Sequence, residues 1–149
     1  MTPSAHDSLS PDTGRAFATW TEPDPDAIAA RLARLAARSD DLLHDMNLRR
    51  DVLDRAMAAL GAAGPELVEL TVTEVGKTPT EAAAELPYAE SFLQTARQLV
   101  DDYGFVAEPG NGRRIAEVPP GLGLLVAPYH APIAGLTRTI GPCLAAGAG

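Results

Sequence analysis

The chain is short of cysteine, of aromatic side chains and of positive charge, and each shortage excludes something. A single cysteine, Cys143, stands among 149 residues. It has no partner for an internal disulfide, which fits a reducing compartment. Aromatic residues make up 5% of the chain against 46% hydrophobic residues overall, so the core has to be built from Leu, Val, Ile and Ala. Twelve Lys and Arg face twenty Asp and Glu, a net charge of -8. An acidic surface repels phosphate backbones, so nucleic acid is not an expected partner. The nearest basic group, Arg31, Arg34 and Arg38, shares one helix face among acidic residues and reads as a solvated surface. No apolar run approaches the length of a membrane span. Residues 1–12 are polar, carry Asp7 and Asp12, and lack the apolar stretch of a secretory signal. His6, His44 and His130 lie far apart, with no paired spacing and no cysteine pair, so no metal site is expected. Together these features predict a soluble, cytoplasmic protein.

What the chain does contain falls into three stretches. Residues 1–23 are a polar tail with a turn near Gly14 and a possible short strand over 15–20. Residues 24–104 are helical. Asp24 and Pro25 form a helix start, with Ile28, Leu32 and Leu35 at helical spacing and an end expected near Ser39. A second start is expected at Asn47, with Leu48, Val52, Met57 and Leu60 as its apolar face. A break is expected over 61–64, a restart at Pro65 and a stop at Gly76. "TPTE" over 78–81 reads as a capping box. The helix beyond it carries Phe92, Ala96, Leu99, Val100 and Tyr103 on one face, with Pro87 expected to kink or split it and Gly104 to end it.

Residues 105–149 change character. "RRIAEV" alternates like a half-buried strand, and "LGLLVA" over 122–127 reads as a strand buried on both faces of a parallel sheet. "PYHAP" is a loop, and Ile133, Leu136, Ile140 and Leu144 are spaced for a last helix that has to accommodate Gly141 and Pro142. The stretch reads as the first βα unit of a doubly wound sheet. A parallel sheet needs a further strand, and none is left to supply it, so the fold is expected to be incomplete as it stands.

Few residues stand where chemistry is expected. His130 follows a buried strand, and open α/β sheets place ligands at the carboxyl ends of their strands. A site role and a structural bond to a nearby carbonyl are both open for it. Cys143 lies on an apolar helix face with no basic neighbour to lower its pKa, and reads as a small hydrophobe. The "GLG" over 121–123 precedes the apolar run instead of following it, so it is no dinucleotide fingerprint.

In order along the chain, "LVELTVTEVGKTPTEAAAEL", "YAESFLQTAR", "RRIAEVPPGLGLLVAPYHAPI" and "IGPCLAAGAG" resemble segments of the aldehyde dehydrogenase superfamily. The first is similar to E-T/V-G-K-P followed by a helix with E-A-x-x-E. The second is similar to the long helix that comes next. The third is similar to R-x-P-x-G-V, a hydrophobic strand, then P-W-N-F-P. The fourth is similar to I-x-P-A-L-A-A-G-N, and the earlier "DTGRAFATW" is similar to the family's P-x-T-G-E opening.

The resemblance implies an α/β fold: N-terminal helices, a strand pair and the first βα unit of a Rossmann-like cofactor domain. It also implies oxidation of an aldehyde to an acid or acyl-CoA ester with NAD or NADP. In such enzymes a cysteine thiolate attacks the aldehyde, hydride passes to the nicotinamide, and a glutamate-activated water or a thiol releases the acyl group. Val126, Ala127, Pro128 and Tyr129 match residues that line the cofactor. His130 stands where the family has the asparagine that donates to the developing oxyanion, and Tyr129 where tryptophan is usual. Cys143 matches a helix position and not the nucleophile. The resemblance therefore implies the N-terminal part of an NAD(P)-dependent enzyme, inactive as this chain alone. The alternative is an interaction module that pairs with a full-length homologue. Homo-oligomers are also implied, and open strand edges invite pairing. An unrelated helical domain would instead pack its helices on each other and leave 122–127 outside any central sheet.

Overall fold

Asp24 begins the first long helix as its sequence suggests. In the computed structural model, which describes residues 4–102, 106–107, 115–116 and 121–148, its side chain accepts from the Asp26 amide at 3.2 Å. Pro25 takes a first-turn position where no amide hydrogen is needed. This helix, α1, spans Pro25–His44 and overruns its expected end at Ser39. Arg31 and Arg34 are exposed on it. The expectations for Arg38 and His44 concern side chains outside the described residues.

Ahead of α1 stands a hairpin, β1 (Ala5–Leu9) paired antiparallel with β2 (Ala16–Thr21). The expected strand over 15–20 is β2. Its partner β1 has no apolar alternation to announce it and is held by cross-strand pairs. The Thr19 hydroxyl donates to Asp7 at 2.7 Å. The His6 ring stacks on Trp20 at 4.5 Å, with Nε2 3.0 Å from Glu22 Oε1. His6 is thus engaged in the hairpin while remaining exposed.

Asp45, not Asn47, caps the second helix, accepting from the Asn47 and Leu48 amides at 2.9 and 3.0 Å. This helix, α2, runs unbroken over Met46–Val75, which corrects the expected break at 61–64. Gly64 is buried, and a Cβ there would lie 3.1 Å from Leu86. Packing on the next helix holds the turn that local propensity would open. Gly76 then stops α2 in the left-handed conformation, at φ 78°.

The capping box forms as expected. Glu81 Oε2 accepts from the Thr78 amide at 3.1 Å, and the Thr78 hydroxyl accepts from the Glu81 amide at 3.3 Å. It opens α3, Pro79–Asp102, which continues through Pro87 without splitting. Its buried stripe is Ala82, Glu85, Ala89, Leu93, Ala96 and Val100; Ala96 and Val100 belong to the predicted face, while Phe92 and Leu99 of that face are only half-buried. Tyr103 and Gly104 lie outside the described residues.

Beyond α3, β3 (Val106–Ala107) pairs antiparallel with β4 (Ile115–Ala116), the core of the expected "RRIAEV" strand. Residues 122–127 do not form the parallel strand expected of them. Among the described residues no strand pairs with them, and a strand without a ladder leaves its amides and side chains open. Leu124 is 95% exposed.

The last helix, α4, spans Pro132–Ala145 and carries Gly141 and Pro142 inside it. It buries Ile133, Ala134, Thr137, Gly141 and Ala145 and leaves Leu136 and Ile140 exposed. Of the four residues spaced for this helix, Ile133 is buried and Leu144 half-buried against the core, while Leu136 and Ile140 turn outward. Small residues let α4 approach α3 closely, and a Cβ at Gly141 would lie 3.1 Å from the Ala96 methyl. The core lies between α2, α3 and α4 and is built from Leu53, Leu60, Leu93 and Val100 with alanines. No helix of the described residues is long and apolar enough to cross a membrane.

At the α2–α3 surface, Asp101 accepts from Arg50 Nε at 2.6 Å and from Arg97 at 2.7 Å. The hydrogen bond from Arg50, then that from Arg97, holds the Asp101 carboxyl below its usual range. A carboxyl depressed in the folded state contributes stability above its unfolded pKa, and that contribution fades as pH falls through the folded value. We expect wild-type Tm to fall more steeply below pH ~4 than that of Asp101→Asn. Parallel acid limbs in thermal unfolding would contradict this.

Candidate functional site

Pro128 to His130 and the start of α4 are built from a few backbone bonds and one close contact. The Ala131 amide donates to the Pro128 carbonyl at 3.3 Å and the Gly135 amide to the Ala131 carbonyl at 2.8 Å. Pro128 lies so near α4 that a Cβ at Gly135 would sit 2.6 Å from its Cδ. Only glycine allows that approach, so the turn is tied to the first turn of the helix. Val126, Ala127, Pro128, Tyr129 and His130 follow one another along an exposed strip, with Val126 and Tyr129 each 82% exposed. The Tyr129 and His130 rings meet edge to face, with centroids 5.7 Å apart and an interplanar angle of 83°. All five sequence-derived candidates are consecutive and exposed, and of their side chains Tyr129 and His130 are in ring contact.

Behind this turn stands a group that the sequence reading overlooked. The residue preceding α4, Ala131, offers no side-chain cap. Glu85, buried on α3, supplies one from another helix. Its Oε2 accepts from the Ile133 and Ala134 amides, both at 3.2 Å. Its Oε1 is ion-paired with Lys77. Pro132 has no amide hydrogen, so the donors of this helix start are accounted for. The signal for Glu85 was present in the sequence: it stands between Ala82 and Ala89 on the apolar stripe of α3, where a charge requires a partner.

The far end of α4 is held in the same way. Arg49, fully buried on α2, donates to the Ala145 carbonyl at 3.1 Å and to the Leu42 carbonyl. Burial draws its pKa below the ordinary value, yet a guanidinium remains charged at neutral pH.

The fit to a dinucleotide is one-sided. The strip over 126–129 offers an uncovered wall of an aliphatic side chain, a proline and an aromatic ring. The start of α4 offers no cradle for phosphate, because Glu85 already takes its free amides and adds negative charge there. Cys143 is half-buried on α4 and shares an apolar pocket of about 220 Å³ with Leu35, Leu124, Leu125 and Ile140. Its pocket includes none of the residues over 126–130.

Residues 2–149 match the model of the Aldehyde dehydrogenase family. The chain belongs to this family. Over 126 residues it is 32% identical to a succinate-semialdehyde dehydrogenase of Paenarthrobacter nicotinovorans, covering 82% of this chain and 28% of that protein. It is 34% identical over 103 residues to a mitochondrial succinate-semialdehyde dehydrogenase of Arabidopsis thaliana, covering 66% of this chain and 20% of that protein. Among solved structures, an aldehyde dehydrogenase C mutant of Pseudomonas syringae complexed with NAD+ and octanal superposes with a TM-score of 0.90. That match is 23% identical and covers 99% of this chain and 31% of the other. A NAD-dependent benzaldehyde dehydrogenase of Corynebacterium glutamicum gives 0.85 at 19% identity, covering 97% of this chain and 33% of the other. The chain thus spans less than a third of the length of these two relatives. The unrelated helical domain is set aside by these matches, although its mark, residues 122–127 outside a sheet, is present among the described residues.

Proposed function

We propose that this chain is the N-terminal part of an NAD(P)-dependent aldehyde dehydrogenase acting on an aldehyde to give an acid or acyl-CoA. The observation that carries the reading is the exposed strip over 126–130, in a chain whose family is shown. In it, Val126, Ala127, Pro128 and Tyr129 form one wall of the cofactor site, with the phosphates held elsewhere. The cofactor, NAD or NADP, supplies a hydride acceptor when bound. His130 occupies the oxyanion-donor position. An imidazole N–H can donate to a developing oxyanion when the proton is on the nitrogen that faces it. The succinate-semialdehyde dehydrogenases among the relatives favour an aldehyde that also carries a carboxylate. A cytoplasmic setting and homo-oligomers complete the reading.

These 149 residues place no cysteine beside His130, and the chain alone is expected to give no reduced nicotinamide with an aldehyde panel. Clear turnover would sink that part of the reading. In a longer protein that joins this stretch to the nucleophile and base, His130→Asn should raise turnover or leave it unchanged. A collapse would assign the histidine a role of its own, such as proton transfer.

Exposed Leu124 and Val126, with Ile28, Leu32 and Leu35 uncovered along α1, favour a second reading. Here the chain is a non-catalytic module that pairs with a full-length homologue. Co-purification with such a homologue discriminates, and a well-behaved monomer that ignores it removes this reading.

A further inference from the structure

Glu85 makes two kinds of contact at once, and together they reach the functional strip. One carboxylate oxygen is spent on Lys77, which immediately follows the glycine that ends α2. The other is spent on the second and third amides of α4. Those are the amides a local cap would serve, and Ala131 cannot serve them. The same helical turn bears Gly135, against which Pro128 is packed. A displacement of this turn therefore moves Pro128, and Tyr129 and His130 follow in the chain. Neither of those side chains is held by burial, since both are exposed.

We propose that Glu85, held in place by Lys77, is the positioning residue for the turn that presents Tyr129 and His130. It acts through α4 and touches neither ring. Two neighbouring residues of the α3 start then have distinct tasks: Glu81 caps its own helix, while Glu85 caps the helix that carries the donor turn. The proposal rests on His130 being the donor position. Placement matters there, because a donor shifted by about 1 Å can forfeit about a hundredfold in rate.

The test uses the full chain, isotope-labelled and followed by nuclear magnetic resonance. In Glu85→Ala, amide exchange at Ile133 and Ala134 should accelerate at least about tenfold relative to mid-α3 amides, as expected for a lost cap. The Tyr129–His130 ring contact should also weaken. Glu85→Gln retains an acceptor oxygen and should keep most of the protection. Adding Ala131→Asp to Glu85→Ala supplies a local cap, which should restore both protection and ring contact. A role in packing alone would not be rescued that way, so failure of the rescue in a folded chain overturns the proposal. Wild-type protection in Glu85→Ala overturns it too, as does lost protection with the ring contact intact. If Glu85→Ala alone does not fold, the Gln variant and the double variant decide by the same two readouts. Adding NAD+ to the same samples separates the two ideas. Signals over 126–129 that do not respond count against the cofactor reading and leave the positioning result standing.

Discussion

Arg49→Met is expected to destabilise the protein by about 3 kcal/mol, chiefly by leaving the buried Ala145 carbonyl and the partly buried Leu42 carbonyl without this donor. Arg49 has no exposed surface. Its guanidinium joins the Leu42 carbonyl near the end of α1 to the Ala145 carbonyl at the end of α4. Gly147, at φ 82°, passes so close that a Cβ there would lie 2.5 Å from the guanidinium. Methionine matches much of the side chain's length but donates nothing. Each orphaned carbonyl costs about 1–3 kcal/mol, and relief from burying a charge offsets part of that. Arg49→Lys keeps the charge without the planar fork and should fall between the two. Urea unfolding measures the difference. A Met variant with an unchanged midpoint would show that α4 is held without this bridge.

Leu93→Ala should cost a similar amount, about 3 kcal/mol, for a different reason. Leu93 is 2% exposed, and its Cδ2 would lie 3.6 Å from a Cβ at Gly141, where α3 and α4 meet. Truncation leaves a cavity between helices that are already close, and the small residues of α4 have little side chain with which to fill it. Leu136→Ala is the control. Leu136 lies on the helical apolar spacing, but it is 43% exposed and should cost less than about 1 kcal/mol. Equal losses for the two variants in thermal or urea unfolding would mean that the bulky face of α4 carries as much of its packing as the small one.

The two expectations differ because spacing indicates that a helix has a face, and not which of two faces a neighbour will take. On α4, Leu136 and Ile140 have the greater hydrophobicity, but Ala134, Gly141 and Ala145 allow the closer approach. On α2, the predicted Leu48 and Val52 are half-buried, while Arg49 and Leu53 lie deepest. The candidate strip over 126–130 was legible because its residues are contiguous and match a family segment. Glu85 was not read as part of the site because it lies 48 residues from Ile133, and no local pattern indicates which helix a buried carboxylate will cap.

By itself the sequence determined what short-range physics controls: the Asp24 cap with Pro25, the Thr78–Glu81 box, the left-handed stop at Gly76 and the family these segments mark. The caps and the stop depend on groups within a few residues of one another, and the family on the order of its segments along the chain. Only the tertiary structure decided that α2 and α3 run through Pro65 and Pro87, which faces of α2, α3 and α4 are buried, and that Glu85 and Arg49 close the two ends of α4. Those outcomes depend on which helices meet, and on the need of every buried amide, carbonyl and charge to find a partner wherever the fold provides one.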